Sequence, residues 1–446
     1  MASVAHQRLS WQRVIVLTAL LSILLPALAV ARKTLTFEKC WELACQNHPA
    51  LQLSQLDVEV AKSQLESQRS SRNLALTFKG ESGYFTGQGI GASALITSLN
   101  NGTPQIASRG EYFNGKISAE LPLYSQGAFW GMPTLQEKAA AWGVTAAEFD
   151  AAQSKTQLRQ NLSAAYADLL LKQSSLSFKE EIATAAALSL QQAKGNYRAE
   201  RISLYDLENA TQQHEQAQQD LFRAQQATAQ GRSLLALVTG LPDDLTWDLA
   251  EPSVVAPLPP DTSFILDTLT NDPRLKAQRA RIEAAKRDLD LIRSKRLPEL
   301  TLTSDYGLGG DYGESFNEQF TATLKMQLPL IDFGHLDHQV REARQQLATE
   351  EARYNSMALT IQSEQLELYY TLSDLERQQR QLDGKITLAR KGQHQKEVEA
   401  DQSLATMIDV AQAKAAVAAL QLEWEQIYYS RVALSQQLLS TPPTEP

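Results

Sequence analysis

The chain has 446 residues, 42 Lys and Arg against 51 Asp and Glu, and a formal net charge of −9. Its length accommodates two or three ordinary domains. The acidic balance argues against nucleic acid as a partner.

Residues 1–31 read as a signal peptide. Arg8 and Arg13 supply a basic start, Val14 to Leu25 an apolar core, and Ala29-Val30-Ala31 a small-x-small cleavage site. A core of about 12 apolar residues falls short of the ~20 that a membrane-spanning helix needs, so export with cleavage is the better reading. Cys40 and Cys45 follow on the first helix of the mature chain. Five residues apart, they fall on different helical faces. They are expected as two buried or partly buried thiols rather than, with His48, a metal site.

From here the sequence repeats itself. Asn47-His48-Pro49-Ala50-Leu51 returns as Asn271-Asp272-Pro273-Arg274-Leu275. Leu121-Pro122-Leu123 with Gly127 returns as Leu328-Pro329-Leu330 with Gly334, and Leu204-Tyr205-Asp206-Leu207 as Met407-Ile408-Asp409-Val410. Three anchors in one order, each pair roughly 200 residues apart, indicate a duplicated unit. The offset falls from 224 to 207 between the first two pairs, so the first copy carries 17 extra residues, which fit the Gly/Ser/Asn-rich stretch Gly87 to Gly110. The expected organisation is repeat 1 over 32–250, with a helix, a strand hairpin 74–123 and a long helix hairpin 128–240. A linker 251–260 follows, then repeat 2 over 261–446, with a helix, a strand hairpin 299–330 and a long helix hairpin 335–440.

Each strand hairpin alternates with period two. Phe320, Ala322, Leu324, Met326, Leu328 and Leu330 interleave with Gln319, Thr321, Thr323, Lys325 and Gln327. Leu300, Leu302, Tyr306, Leu308 and Tyr312 alternate likewise, as do Leu74, Leu76, Phe78 and Tyr84, and Phe113, Ile117, Ala119, Leu121 and Leu123. Runs of about 11–13 residues match tilted strands that cross a bilayer. The residues expected to face lipid are Phe320, Leu324, Met326, Leu328, Leu302, Ile117 and Leu121. Aromatics gather toward the loop-side ends (Tyr84, Phe85, Tyr112, Phe113, Tyr306, Tyr312, Phe320), as interfacial girdles do. A soluble sheet packed on a helix would alternate in the same way; export, strand length and aromatic placement favour the membrane. Four strands cannot close a barrel, and lipid does not tolerate open edges. Copies of the chain must therefore pool strands, two giving eight and three giving twelve.

No proline stands between Pro133 and Pro242 or between Pro329 and Pro442. Each tract is rich in good helix formers and holds a helix of roughly 60 residues, a turn, and one of roughly 35. Along the first returning arm, Leu207, Ala210, His214, Ala217, Leu221, Ala224, Thr228, Gly231, Leu235 and Val238 step alternately by three and four, a sustained heptad seam. The second copy keeps the register at Val410, Ala413, Val417, Leu420, Trp424, Ile427, Arg431, Leu434, Leu438 and Thr441. The fold class is mainly α with a membrane β part: long helical hairpins forming an α-barrel continuous with a β-barrel, four strands per protomer.

These features together resemble the TolC family of outer-membrane channel proteins across the mature chain. The resemblance rests on the two N-x-P-x-L openings, Leu297-Pro298-Glu299-Leu300 leading into a strand, the two L-P-L exits followed by Gly, and the hairpin turns with Asp206 and Asp409. It implies a homotrimer in the outer membrane that spans into the periplasm, with twelve strands continuing into a twelve-helix tube. The linker and the chain termini would wrap that tube, and Gly87 to Gly110 would be an extracellular loop. Such proteins are exit ducts of tripartite efflux pumps and type I secretion systems, partnered by a periplasmic adaptor and an inner-membrane transporter. The chain departs from the family where Glu200 and Ser403 replace the usual turn glycine, and where Ala400 and Ala405 replace residues that lock the closed entrance. Asp206 and Asp409 open their returning helices, where a carboxylate caps the helix dipole. Threefold symmetry would also gather them into an acidic periplasmic entrance, with Asn209 and Gln412 as the next polar layer.

No convergent reactive groups appear, so neither an enzyme nor a cofactor is expected. His335 and His338 lack a third ligand nearby. Gly87 to Gly91 is followed by no Lys-Ser/Thr and does not make a nucleotide loop. The alternative reading is a periplasmic coiled-coil adaptor or structural protein without a pore.

Overall fold

The structure is a computed structural model and describes residues 33–86, 109–240, 247–250, 262, 269–311, 317–402 and 407–439. The expected signal peptide, the linker 251–260, loop residues 87–108, Tyr312 and Ser403 lie outside the described residues, as do the side chains of Phe85, Tyr112 and Phe113.

In chain order the elements are β1 (Lys33–Leu35), α1 (Phe37–Asn47), α2 (Pro49–Ser70), β2 (Ala75–Thr86), β3 (Arg109–Ser125), β4 (Ala128–Phe129), α3 (Leu135–Arg198) and α4 (Leu204–Thr239). They continue with β5 (Trp247–Leu249), α5 (Pro273–Ser294), β6 (Glu299–Asp311), β7 (Asn317–Gln327), α6 (His335–Asp401) and α7 (Met407–Leu439). The duplication is visible in these bounds. Pro49 and Pro273 each open a helix and Ala75 and Glu299 each open a strand, both pairs 224 residues apart. Proline suits the first helical position, where its missing N–H is no loss, and the Asp272 side chain accepts the Arg274 amide at 2.8 Å as N-cap. Gln126-Gly127 (φ 55° and 76°) and Phe333-Gly334 (φ 50° and 85°) repeat one backbone turn 207 residues apart. In the first copy this turn joins Ser125 to Ala128 as a two-residue hairpin with both central φ positive.

Two expectations are corrected. The first long helix starts at Leu135 rather than 128, because β4 and a capping turn at Thr134 occupy the intervening residues; the Glu137 amide donates to Thr134 Oγ1 at 3.2 Å. Leu123 also falls outside the regular pairing of its strand. The register of β3 on β6 shifts between Pro122 and Tyr124, so that Tyr124, not Leu123, stands opposite Leu300. Pro122 has no N–H to give to the ladder, and a bulge at such a position is the usual outcome.

The chain divides into two compact units. One contains 1–48, 158–257 and 372–437. Its core holds Leu162, Tyr166, Leu169, Leu235 and Cys40. β1 and β5 pair in parallel there, and the Tyr166 hydroxyl lies 3.0 Å from the Leu35 carbonyl and 2.5 Å from that of Ala250. Burial pushes the phenol well above its ordinary range. Cys40 is fully buried, its thiol pushed up to about 12, and it is not joined to Cys45. The seam read from the sequence is the packed face of α4: all ten of its positions are buried or half-buried, while the flanking Glu208, Gln212, Gln213 and Gln216 are exposed. Small residues let the arms approach closely, and a Cβ at Gly231 would sit 3.2 Å from Leu169 Cδ1. Gly240 ends α4 at φ 70°, with Asn47 so near that a Cβ would fall 2.7 Å from it, so only glycine fits.

The other unit contains 49–157, 258–371 and 438–446. It is built on an antiparallel sheet of order β2-β3-β6-β7, with β4 beside β3. Helices α2 and α5 and the leading parts of α3 and α6 belong to it. Gln278, 3% exposed, ties α5 to α6 by donating to Glu350 Oε2 at 2.6 Å.

Candidate functional site

The sheet sorts its side chains into two faces, since residues paired across strands point the same way and neighbours along a strand point oppositely. One row runs Phe78, Ile117, Tyr306, Phe320; the next but one runs Leu121, Leu302, Leu324, with Leu76, Ala119, Ser304 and Ala322 between them. The rows of the opposite face are Thr77, Ser118, Asp305, Thr321 and Ala75, Glu120, Thr303, Thr323. Lys116 reaches toward Asp305 across that face at 4.0 Å. The structure thus brings Phe320, Leu324, Met326, Leu302, Ile117 and Leu121 onto one apolar face. Leu328 lies just past the end of β7 and is 40% exposed. Phe320, Leu324 and Met326 are 69%, 62% and 67% exposed in the protomer, too much uncovered apolar surface for a sheet that stops at water. No helix among the described residues is long and apolar enough to cross a membrane.

The second group of residues lies where the returning helices begin. Asp206 is the third residue of α4 and closes a capping box with Ser203. The Ser203 amide and hydroxyl donate to Asp206 Oδ2 at 3.0 and 2.7 Å, and the Asp206 amide donates back to Ser203 Oγ at 3.2 Å. These bonds to the charged form hold the carboxyl below its ordinary range, so it stays ionised at neutral pH. Asp409 is the third residue of α7 and half-buried. On α6, Lys396 donates to Glu399 Oε2 at 2.7 Å, a bond that raises the lysine's pKa and, with one from Gln395, lowers the glutamate's; the charge of Asp409 is a minor contribution to both. Asn209 and Gln412 are both exposed one turn further on.

Glu200, which stands where the family usually has a turn glycine, is explained here by its backbone. Glu200 takes φ 57°, the left-handed region. The Glu200 amide donates to Tyr197 O and the Arg201 amide to Asn196 O, each at 2.9 Å, the two crossed bonds of a Schellman end on α3. Sequence reasoning missed the Lys396–Glu399 ion pair near the end of α6, whose signal was a Lys three residues before a Glu, one helical turn.

Comparison with known proteins follows from this geometry. A family model described as outer membrane efflux protein matches residues 41–241 and 265–441, one segment in each copy of the repeat. No curated protein matches the chain. Among solved structures, the outer membrane protein VceC of Vibrio cholerae is similar at 17% identity, over 91% of this chain and 95% of that one, with a TM-score of 0.74. The Campylobacter jejuni CmeC outer membrane channel is similar at 16% identity, over 91% and 85%, TM-score 0.74. The open state of the Neisseria gonorrhoeae MtrE outer membrane channel gives 15%, 91% and 88%, and 0.70.

Proposed function

This chain belongs to the outer membrane efflux protein family, and on that premise we propose that it is a passive exit duct, a homotrimeric channel in the outer membrane through which a periplasmic pump discharges its cargo. The observation that carries the reading is the sheet. Its strands are long enough to span a bilayer, one face is apolar and the other polar, and β2 and β7 form its two edges. Backbone groups on an open edge cannot be satisfied in hydrocarbon. Copies of the chain must close the sheet, and three of them pool the twelve strands that the resemblance to the TolC family implies. The long hairpins then form the periplasmic tube that meets an adaptor and an inner-membrane transporter, of an efflux pump or a type I secretion system. A pore-less adaptor would account for the hairpins and leave the sheet without a purpose.

In this reading the apolar face meets lipid and the polar face lines the lumen. Asp206 and Asp409 crowd the periplasmic entrance, six carboxylates around one axis, and such a ring concentrates cations and offers oxygen ligands to a multivalent cation. The Ser203 bonds keep Asp206 charged. Fractionation and planar-bilayer recording test the proposal. The protein is expected in outer membranes as a detergent-stable trimer with a cation-selective conductance. Recovery as a soluble or inner-membrane protein would remove the duct. The Asp206→Asn, Asp409→Asn double variant should lose cation preference and block by multivalent cations while still assembling. Unchanged selectivity and block would leave the two residues as caps alone.

A further inference from the structure

The turns leading into β2 and β6 share a feature that the repeat's sequence anchors do not include. Arg72 and Arg296 stand 224 residues apart, each three residues before its strand, and Glu137 and Asp337 are each the third residue of a long helix, α3 and α6. In the first copy Arg72 Nη1 donates to Glu137 Oε2 and Arg69 Nε to Glu137 Oε1, both at 3.1 Å. In the second copy Arg296 Nη2 donates to Asp337 Oδ1. The same junction is bridged twice by the same chemistry.

Capping explains only part of this. An acid in the first helical turn suits the helix dipole, and Thr134-Leu135-Gln136-Glu137 has the sequence of a capping box. Yet the Glu137 carboxylate is taken up by two guanidiniums, and its side chain is only 8% exposed. Arg296 and Asp337 are 56% and 66% exposed, a looser version of the same bridge. Leverage gives these bonds their importance. A helix of 64 residues, as α3 is, extends ~95 Å at ~1.5 Å per residue. A tilt of a few degrees in its first turn moves the far end by on the order of 5 Å over that length.

We propose that these two arginine–carboxylate clamps are positioning residues that fix the angle at which each long helix leaves its strand hairpin, and thereby hold the bore of the duct at one width. The inference rests on the channel reading above. The first clamp, buried and doubly held, is the firm joint; the second is the yielding one.

The test is single-channel recording of the purified full-length protein in planar bilayers. Asp337→Arg sets two cations against each other and should split the open level into substates, with current variance several-fold above the natural protein. The swap Arg296→Asp, Asp337→Arg restores the pair and should restore one steady level. A capping role alone predicts the opposite, since both variants put an arginine in the first helical turn, where the dipole disfavours it. Glu137→Gln should disturb the current more than Asp337→Asn. A swap no steadier than Asp337→Arg, or an Asp337→Arg channel as steady as the natural one, would overturn the proposal. Should Asp337→Arg fail to assemble, recovery of the trimer in the swap supports the clamp and its absence overturns it. A natural protein with no conductance at all would instead overturn the channel reading.

Discussion

Glu200 carries a backbone conformation that its side chain does not favour. The left-handed region costs an L-residue roughly 1–2 kcal/mol relative to glycine, and the Schellman end of α3 requires it at this position. The sequence shows the anomaly as a glutamate where the family usually has glycine; the dihedral is its physical meaning. Glu200→Gly should therefore stabilise the protein by about 0.5–1 kcal/mol, part of the relief being offset by the greater freedom of an unfolded glycine. A raised midpoint on thermal melting in detergent is the expected result, and a lowered one would mean that the Glu200 side chain makes a contact worth more than the strain. Asp206, six residues on, gives a pH dependence of defined sign. Its folded-state pKa lies below the ordinary carboxylate value near 3.9. Its contribution is thus fully present above that value and disappears as pH falls through the depressed one. The difference in melting midpoint between the natural protein and Asp206→Ala should be constant above about pH 5 and shrink below pH 4. A difference that instead grew on acidification would show the carboxylate to be acting outside its capping box. What the sequence left unread at this end was the pairing of Lys396 with Glu399, because a lysine on an exposed helix face looks like any solvated charge.

Periodicity made the strands and helices legible, and backbone chemistry set where it failed. The seam of α4 was read position by position because three-and-four spacing has one structural meaning over so many turns. The even residues of β7 were read equally well, because the side-chain period of a strand is two and one face must differ from the other. Leu123 falls outside the ladder that alternation assumes to be unbroken, because the register shifts between Pro122 and Tyr124. Residues 128–134 were assigned to a helix because they lie in a strongly helical tract, whereas the Gln126-Gly127 turn reverses the chain first. The register itself can be tested by placing charge on each face. Leu324→Arg, opposite Leu302, should cost about 2–4 kcal/mol of barrel stability, while Thr323→Arg, opposite Thr303, should cost much less. The measurement is the yield of heat-resistant trimer in outer membranes. Equal losses for both variants would reject the assignment of the two faces.

The sheet also gives the protein a direction. Ala75 pairs with Glu120 and Glu299 with Gln327 at the end where α2, α3, α5 and α6 join it, while Thr86 pairs with Arg109 and Gly309 with Asn317 at the other. Every helical connection thus leaves by one end and both strand-to-strand connections by the opposite end. A chain so arranged would cross a membrane with its helices on one side. The two-copy arithmetic of the sequence located the larger of these loops from the 17-residue difference in offset, and the strands stop at Thr86 and resume at Arg109 on either side of it. The number of copies that would close the barrel was not legible in the same way, because strand count per chain follows from one sequence, whereas in the proposed channel closure would come from β2 and β7 edges meeting on different chains. With the helices in the periplasm, as proposed, residues 87–108 would be extracellular. An epitope inserted beside Asn101 should leave the trimer assembled and be labelled by antibody on intact cells, because Asn101 lies between the paired strands that end at Thr86 and resume at Arg109. Labelling that required lysis would put the loops in the periplasm and reverse the orientation of the whole duct. Loss of the trimer on insertion would mean that the connection is part of the closed barrel rather than an appendage to it.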